Sequence, residues 1–545
     1  MPVHRTLPLS LLLLCGSSPS LHAQRPDPLA ISVEELGARL RHLSSDLFEG
    51  RAPGTRGEQL TLGYLVSELE AFGVRPGAGD GWLQPVDITV HDPDSTSPNS
   101  YRLSGRVTGT LEHGRDMRPV ANSARAVVEA GGELVFVGYG ISAPMYGWDD
   151  FAGIDLTGKV AVALLGEPPS AADSSRFNGV RASRYGWARD KVAEMDRRGA
   201  VGVLWMLPQG RIARTSVGGN RRLAPDAERA RTLFTGLITD STVARLLPAG
   251  GPSLAELRAA ADRPGFRGLP LGVRLDVAFR TRPRQVRSHN VIGIIGGTDP
   301  ARAREHVVLS AHWDAFGIGR PVNGDSIYNG ALDDGSGLTA LLANARVLAR
   351  APQPRPITFL FTTAEEWGLL GAEAFVCAGP IAATHVVANL NVDDGIELLG
   401  RKRDAAPLGV EFSTLGRTIA AVAKRHGLRV SPDPYPQEGF FLRADNYPFA
   451  RAGVPALYMG LGTDTEGRGT AWTDSLVADY LQRHYHQPSD DYATVAIDLR
   501  GAQQFAEFLR DVTVAVARDP KRPEWLPGAE FRRDGDETAR ACGAR

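Results

Sequence analysis

The fold is decided by three stretches of the sequence, HVVLSAHWD (306–314), ITFLFTTAEE (357–366) and THVVANLNVDD (384–394). Each is an apolar run of the length of a buried strand, and each ends on histidine or acidic residues. Two further apolar runs, NVIGII (290–295) and VPALYMG (454–460), flank them, with helical patterns in between. Strands that alternate with helices predict an α/β fold with a doubly wound, mostly parallel sheet.

The polar residues that follow these strands are candidates for a functional site. Ligands of an open α/β sheet gather outside the carboxyl ends of its strands. The candidates are His312 and Asp314, Glu365 and Glu366, Asp393 and Asp394, Asp333 and Asp334 of NGALDDGSG (329–337), and His486 of YHQPSD (485–490). Imidazole and carboxylate groups are the ligands that zinc and similar divalent ions prefer. The sequence therefore predicts a metal site at this edge of the sheet.

The number of candidates fits two metal ions. One carboxylate can bridge the ions, and each ion then takes one histidine and one further carboxylate, with a position left open for water and substrate. A spare carboxylate is needed to move protons, and the Glu365-Glu366 pair provides one. Asp314 could orient a ligand such as His312. Other readings remain open: paired glutamates suit the first turn of a helix, and Asp333-Asp334 could cap the helix that starts near Gly337.

These motifs resemble peptidase family M28, the co-catalytic di-zinc aminopeptidases, in the bacterial branch that carries an inserted protease-associated (PA) domain. The matching motifs are His312-Trp313-Asp314, NGALDDGSG (329–337), TAEEWGLLG (363–371), Asn391-Val392-Asp393 and YHQPSD (485–490). HLSSDLFEGRAPGTRG (42–57) resembles the opening of the family, and residues 135–168 resemble the PA domain. The resemblance implies a sheet of the zinc-exopeptidase type with an inserted, β-rich PA domain.

The resemblance also implies a role for each candidate. His312 and Asp393 would bind one zinc ion, Glu366 and His486 would bind the other, and Asp333 would bridge the two. Glu365 would be the general base and acid, and Tyr485 would hydrogen-bond the developing oxyanion. Arg443 would contact the substrate. Asp333 is preferred to Asp334 because the residues after it keep the family spacing, and Asp394 competes in the same way with Asp393.

The function implied is an exported di-zinc metallopeptidase that hydrolyses N-terminal residues from peptides, through a metal-bridged water with Glu365 as general base. Its partners would be peptide substrates with a free N-terminus. The alternatives are the same site acting as a carboxypeptidase, dipeptidase or glutaminyl cyclase, and a non-catalytic binding protein. The cyclase is disfavoured because His312 and Asp333 complete a two-metal set. The binding protein is disfavoured because every ligand and the base are present.

Composition excludes several other classes of protein. The chain has 545 residues, of which 43% are hydrophobic and 23% charged, so it is not mostly disordered. Its formal net charge of -1 gives no electrostatic reason to expect nucleic acid or an anionic membrane as partner. The only long apolar run is at the N-terminus, which excludes a protein with several membrane spans.

Residues 1–23 have the pattern of a secretory signal peptide. Arg5 precedes an apolar stretch at 7–14 that is too short to span a bilayer, and Ala23 offers a cleavage point. This predicts a periplasmic or extracellular protein. The alternative interpretation is a lipid anchor at Cys15. It is disfavoured because Leu14 precedes the cysteine, where a small residue is expected.

The chain divides into five expected segments. They are the signal peptide (1–23), an N-terminal part of the peptidase domain (24–104), the inserted PA domain (105–282), the di-zinc peptidase domain (283–525) and a C-terminal tail (526–545). The chain from 518 is polar and expected to be loose. Cys377 and Cys542 could form a disulfide in an exported protein or remain free thiols, and the sequence leaves both open.

Overall fold

The structure is a computed structural model that describes residues 30–94, 98–169, 176–207, 220–532 and 542. The expected signal peptide and the lipid-anchor candidate Cys15 lie outside these residues. Among the residues described, no helix combines the length and the apolar character needed to cross a membrane.

The helices and strands are numbered in chain order. The helices are α1 (Val33–Leu43), α2 (Arg56–Phe72), α3 (Ala188–Arg197), α4 (Ala224–Arg229), α5 (Asp240–Leu246), α6 (Leu254–Ala261), α7 (Ser336–Leu348), α8 (Leu370–Ala378), α9 (Leu415–Arg425), α10 (Phe440–Arg443), α11 (Asn446–Arg451), α12 (Thr470–Arg483) and α13 (Leu499–Arg518). The strands are β1 (Arg75–Pro76), β2 (Leu83–Pro93), β3 (Ser100–Gly105), β4 (Gly109–Thr110), β5 (Met117–Ala121), β6 (Val127–Phe136), β7 (Ser142–Ala143), β8 (Trp148–Asp149), β9 (Val160–Leu164), β10 (Gly202–Leu207), β11 (Arg221–Leu223), β12 (Phe234–Thr239), β13 (Leu269–Ile295), β14 (His306–His312), β15 (Gly317–Val322), β16 (Asp325–Tyr328), β17 (Ile357–Thr362), β18 (Val386–Val392), β19 (Asp404–Ala405), β20 (Arg429–Val430) and β21 (Ala456–Met459).

The C-terminal part of the chain forms a sheet in the order β21-β18-β14-β17, in which all neighbours are parallel. These strands are buried over almost their whole length because helices cover both faces. Val307 and Leu309 of β14 pack into a core shared with α1, α2, α7, α9 and α13, while Val308 packs into the core formed with α8 and α11. The predicted α/β fold with a mostly parallel sheet is confirmed.

A second group of strands has its own core. β6, β9, β10 and β12 are parallel neighbours, and they enclose residues such as Phe136 and Phe234. The two groups are joined by β13, whose first half pairs with β3 and β6 and whose second half pairs with β2 and β17. At the start of β13 buried side chains alternate with exposed, mostly polar ones, which is the pattern of a half-buried strand.

The expectation of a loose chain after residue 518 is wrong for residues 519–532. Trp525 donates a hydrogen bond from Nε1 to the carbonyl oxygen of Gly453 (2.9 Å), and Phe531 is 1% exposed beside Phe412. Two aromatic side chains supply enough apolar surface to hold this segment against the sheet domain. Cys377 and Cys542 form a disulfide with Cα atoms 5.3 Å apart, which answers the question the sequence left open.

Candidate metal centre

Two groups of histidine and carboxylate side chains meet at the carboxyl ends of the parallel strands. One group is His312, Asp333 and Asp393, and the other is Asp333, Glu366 and His486. β14 ends on His312, Glu366 and Asp393 follow β17 and β18, and Asp333 lies in the turn before α7. Parallel strands bring the first of these positions to one edge, and the chain after α12 adds His486, which lies 153 positions from its neighbour Asp333.

The distances between donor atoms fit two divalent ions. Nε2 of His312 lies 3.0 Å from Asp333 Oδ1 and 3.4 Å from Asp393 Oδ1. Nε2 of His486 lies 3.3 Å from Asp333 Oδ2 and 3.2 Å from Glu366 Oε2. Ligand atoms at zinc bond lengths stand about 3.4 Å apart around a tetrahedral ion. The two oxygens of Asp333 face different histidines, so this carboxylate is placed to be shared.

The structure distinguishes the two members of each adjacent pair of acids, Asp333-Asp334 and Asp393-Asp394. Asp334 is buried and accepts hydrogen bonds from the backbone N–H of His312 (3.2 Å) and of Gly337 (2.9 Å), so it holds the strand end against the start of α7. Asp394 lies outside both groups of potential ligands. Asp333 and Asp393 are therefore the members of each pair that face the histidines.

Asp314 fixes the orientation of His312, mainly through its main chain. Nδ1 of His312 lies 3.0 Å from the Asp314 carbonyl oxygen, which can only accept, so Nδ1 carries the proton and Nε2 is free to bind a metal. The Asp314 carboxylate lies 3.8 Å from Nδ1 and accepts a hydrogen bond from the Glu365 backbone N–H (3.1 Å). Asp314 thus ties the ends of β14 and β17 together.

The centre carries an excess of buried negative charge. Burial, together with the nearby acids, raises the pKa of Glu365 and of Glu366 well above the usual range. Burial opposes protonation of His312, yet its hydrogen bonds to Asp333 and Asp393 raise its pKa well above the ordinary value. Carboxylates crowded in this way are stabilised by a cation among them. The charge pattern therefore agrees with the metal-binding geometry.

Tyr485 and Arg443 lie together beside the second group. The Arg443 guanidinium donates a hydrogen bond from Nη2 to the Tyr485 hydroxyl oxygen (3.0 Å), and the Tyr485 ring stacks on His486 with centroids 3.6 Å apart. Both residues line a cavity of about 230 Å³ that also reaches Asp333, Glu365 and Asp393. Because the Arg443 guanidinium donates its hydrogen bond to the Tyr485 hydroxyl oxygen, the hydroxyl hydrogen of Tyr485 is available to an acceptor in this cavity.

For two buried residues next to the centre, the sequence analysis predicted no role. Arg51 is fully buried, and its guanidinium donates to the carbonyl oxygens of Trp313 (2.8 Å), Leu43 (2.9 Å), Asn329 (2.6 Å) and Gly330 (2.9 Å). Arg51 belongs to the stretch 42–57, and its burial was not predicted because a charged residue is expected to be exposed.

Asp490 is the second of these residues. Its carboxylate accepts hydrogen bonds from the backbone N–H groups of Leu332 (3.0 Å) and Asp333 (3.2 Å) and from the Tyr480 hydroxyl (3.1 Å). Burial raises its pKa to about 7. Asp490 holds the turn that carries Asp333, and its place at the end of YHQPSD (485–490) was the only signal of this role.

The sheet order and the paired ligand groups at its edge define an α/β protein with a candidate centre for two metal ions. Residues 290–513 match the model of Peptidase family M28. The structure is also similar to a solved aminopeptidase from Aneurinibacillus sp. strain AM-1, with a TM-score of 0.51 and 19% identity, over 93% of this chain and 99% of that chain. This likeness shows the fold.

Curated relatives match only a part of the chain. A probable leucine aminopeptidase 2 from Aspergillus oryzae is 32% identical over 104 residues, which are 19% of this chain and 18% of the relative. A vacuolar membrane protease of Saccharomyces cerevisiae is 33% identical over 110 residues, 20% of this chain and 10% of the relative. The chain therefore spans less than a fifth of the length of each of these relatives.

Proposed function

We propose that the protein is a di-zinc aminopeptidase that removes N-terminal residues from peptides. The observation that carries the proposal is the position of Asp333, whose two oxygens each face a histidine of a separate ligand group, 3.0 and 3.3 Å away. Glu365 lines the same cavity and belongs to neither group, so a carboxylate is left for proton transfer.

The residues of the centre are assigned as ligands by their donor atoms. His312, Asp333 and Asp393 would hold one zinc ion, and Asp333, Glu366 and His486 would hold the other. Bound zinc supplies Lewis acidity, which lowers the pKa of a bound water and polarises a substrate carbonyl. The imidazole and carboxylate donors agree with the preference of zinc for nitrogen and oxygen ligands.

The chain's own residues move the proton and stabilise charge. The Glu365 carboxylate takes a proton from the attacking water and returns it to the leaving amine. The Tyr485 hydroxyl donates a hydrogen bond to the developing oxyanion, and the contact from Arg443 orients that hydroxyl. Burial and the neighbouring acids raise the pKa of Glu365, which favours uptake of a proton by its carboxylate.

The match to the M28 family model and the description of the Aspergillus oryzae relative favour removal of N-terminal residues over the carboxypeptidase, dipeptidase and cyclase alternatives. We also propose that residues 105–282 are the inserted PA domain and that residues 1–23 direct export. The separate core of the second group of strands supports the former, and the disulfide between Cys377 and Cys542 supports an oxidising compartment.

The proposal is tested by a paired cleavage assay. The zinc-loaded protein is given a mixed peptide pool and the N-acetylated form of the same pool, and both are followed by mass spectrometry. Stepwise loss of N-terminal residues from the free pool alone is expected, because the acetyl group removes the α-amine. Equal cleavage of both pools would identify a carboxypeptidase or endopeptidase instead.

A second expected outcome concerns the metal content. Asp333→Asn is expected to lower the zinc bound per chain from two to less than one, because each ligand group loses an anionic oxygen. The metal is measured by mass spectrometry after dialysis. Asp394→Asn is the matched control and is expected to keep two ions, since Asp394 lies outside both groups. Two retained ions in Asp333→Asn would rule out its bridging role.

A further inference from the structure

The cavity beside the metal centre has the size and lining of a pocket for one side chain. Its volume of about 230 Å³ lies below the ~300–1,000 Å³ typical of sites for larger ligands. Its walls are largely apolar and aromatic. They include Leu332, Ile396, Tyr435, Phe440, Tyr458 and Leu476.

Apart from the centre itself, the ionisable side chains that line this cavity are Asp394, Asp479, Arg443 and His484. Three of them have a hydrogen-bond or ion-pair partner, and the partner of Arg443 is a neutral hydroxyl group. Arg443 donates to Tyr485, and Asp479 lies 3.1 Å from Nε of Arg483 and 3.6 Å from Nε2 of His484. One acidic residue of the lining takes part in none of these contacts.

That acid is Asp394, which is half-buried. In the described part of the chain, no ion pair or side-chain hydrogen bond reaches its carboxylate. The charges that act on it are those of three acids, Glu397, Asp393 and Asp433, and of one cation, Lys402. The Nζ atom of Lys402 donates its hydrogen bond to Thr465 Oγ1 instead (2.6 Å). The cavity therefore contains a carboxylate that has no direct ion-pair partner among the described residues, although the Lys402 ammonium attracts it at longer range.

The backbone opposite makes room for this carboxylate. Gly460 follows β21, and a Cβ atom at that position would lie 2.6 Å from Asp394 Oδ2. The carboxylate thus packs against bare main chain at the cavity wall. An unpaired carboxylate beside aromatic rings is an environment that favours a cation, while apolar walls suit a methylene chain.

We propose that Asp394 makes this cavity select peptides whose N-terminal residue has a long cationic side chain, lysine or arginine. The inference rests on the proposed function, since it assumes that the cavity receives the residue to be removed. The methylene stem lies along the apolar walls, and the ammonium or guanidinium group pairs with the Asp394 carboxylate.

The test compares lysine with norleucine, which has the same carbon stem without the charged group. Values of kcat/KM are measured for dipeptides that differ only in this N-terminal residue, with zinc-loaded protein. The binding of lysinamide and norleucinamide is measured in parallel by calorimetry, which needs no turnover. Asp394→Asn is expected to lower the preference for lysine by about 10- to 100-fold, since a charge-assisted hydrogen bond is lost.

Two further variants are measured in the same way, one as a control and one as a second perturbation of Asp394. Asp479→Asn is the matched control, because Asp479 lines the same cavity but is already paired, and it is expected to keep the preference. Gly460→Ala keeps the carboxylate but displaces it, and is expected to reduce the preference even if Asp394→Asn folds poorly.

The outcomes separate this inference from the proposed function. Equal handling of lysine and norleucine by the unmodified protein overturns the inference and leaves aminopeptidase activity in place. An equal loss for both residues in Asp394→Asn also overturns it, because it would point to a contact with the common α-amine. Preferential binding of lysinamide without any turnover supports Asp394 and contradicts the proposed function.

Discussion

Replacing Glu365 with glutamine is expected to lower kcat by about 10²–10⁴-fold, the range that general acid–base catalysis supplies. Glutamine has nearly the same shape as glutamate, but it cannot take up a proton. Glu365 lines the cavity and lies outside both ligand groups, so the metal content is expected to remain unchanged. Turnover of an unblocked dipeptide and zinc per chain are measured on the same preparation.

The combination of these two readouts makes the result specific. A variant that loses both zinc and activity would identify Glu365 as a ligand. Glu365→Asp serves as the conservative control, because it keeps an acid at a shorter reach and is expected to retain more activity than the glutamine variant. Near-normal kcat in Glu365→Gln would show that another group moves the proton.

The fold of the C-terminal part and the place of its site could be predicted from the sequence. Runs such as HVVLSA (306–311) have apolar residues at consecutive positions, Val307 to Leu309, which fits strands that helices cover on both faces. Side chains that follow parallel strands must then meet at one edge. His312, Glu366 and Asp393 were predicted to be neighbours for this reason, and the structure brings them to the same centre.

What the sequence could not provide is the identity of contacts between distant segments. Asp333 and Asp334 are adjacent and chemically identical, and only the turn geometry decides which one faces the histidines. The packing of Phe531 was missed because the chain around it is polar. In each case the deciding partner lies far away in the sequence.

The largest expected effect on stability comes from Arg51. Its guanidinium donates to four main-chain carbonyl oxygens that belong to three separate segments of the chain, and its charge lies near Asp490, Asp334 and Asp314. Arg51→Met keeps much of the stem but leaves these oxygens and acids without a cation. We expect a loss of about 3–5 kcal/mol in the free energy of unfolding, as for other buried charges that lose a partner.

The control for this variant lies five residues further along the chain. Arg56 pairs with Glu49 but its side chain is 68% exposed, so Arg56→Met is expected to cost no more than about 1 kcal/mol. Arg51→Lys tests the geometry, because lysine keeps the charge but cannot direct several N–H groups to separate carbonyls, and we expect an intermediate loss. Unfolding is measured by urea titration of the three variants. If Arg51→Met proved as stable as Arg56→Met, the carbonyls around Arg51 would have to find other donors, and the three segments beneath the metal centre would be held together by packing alone.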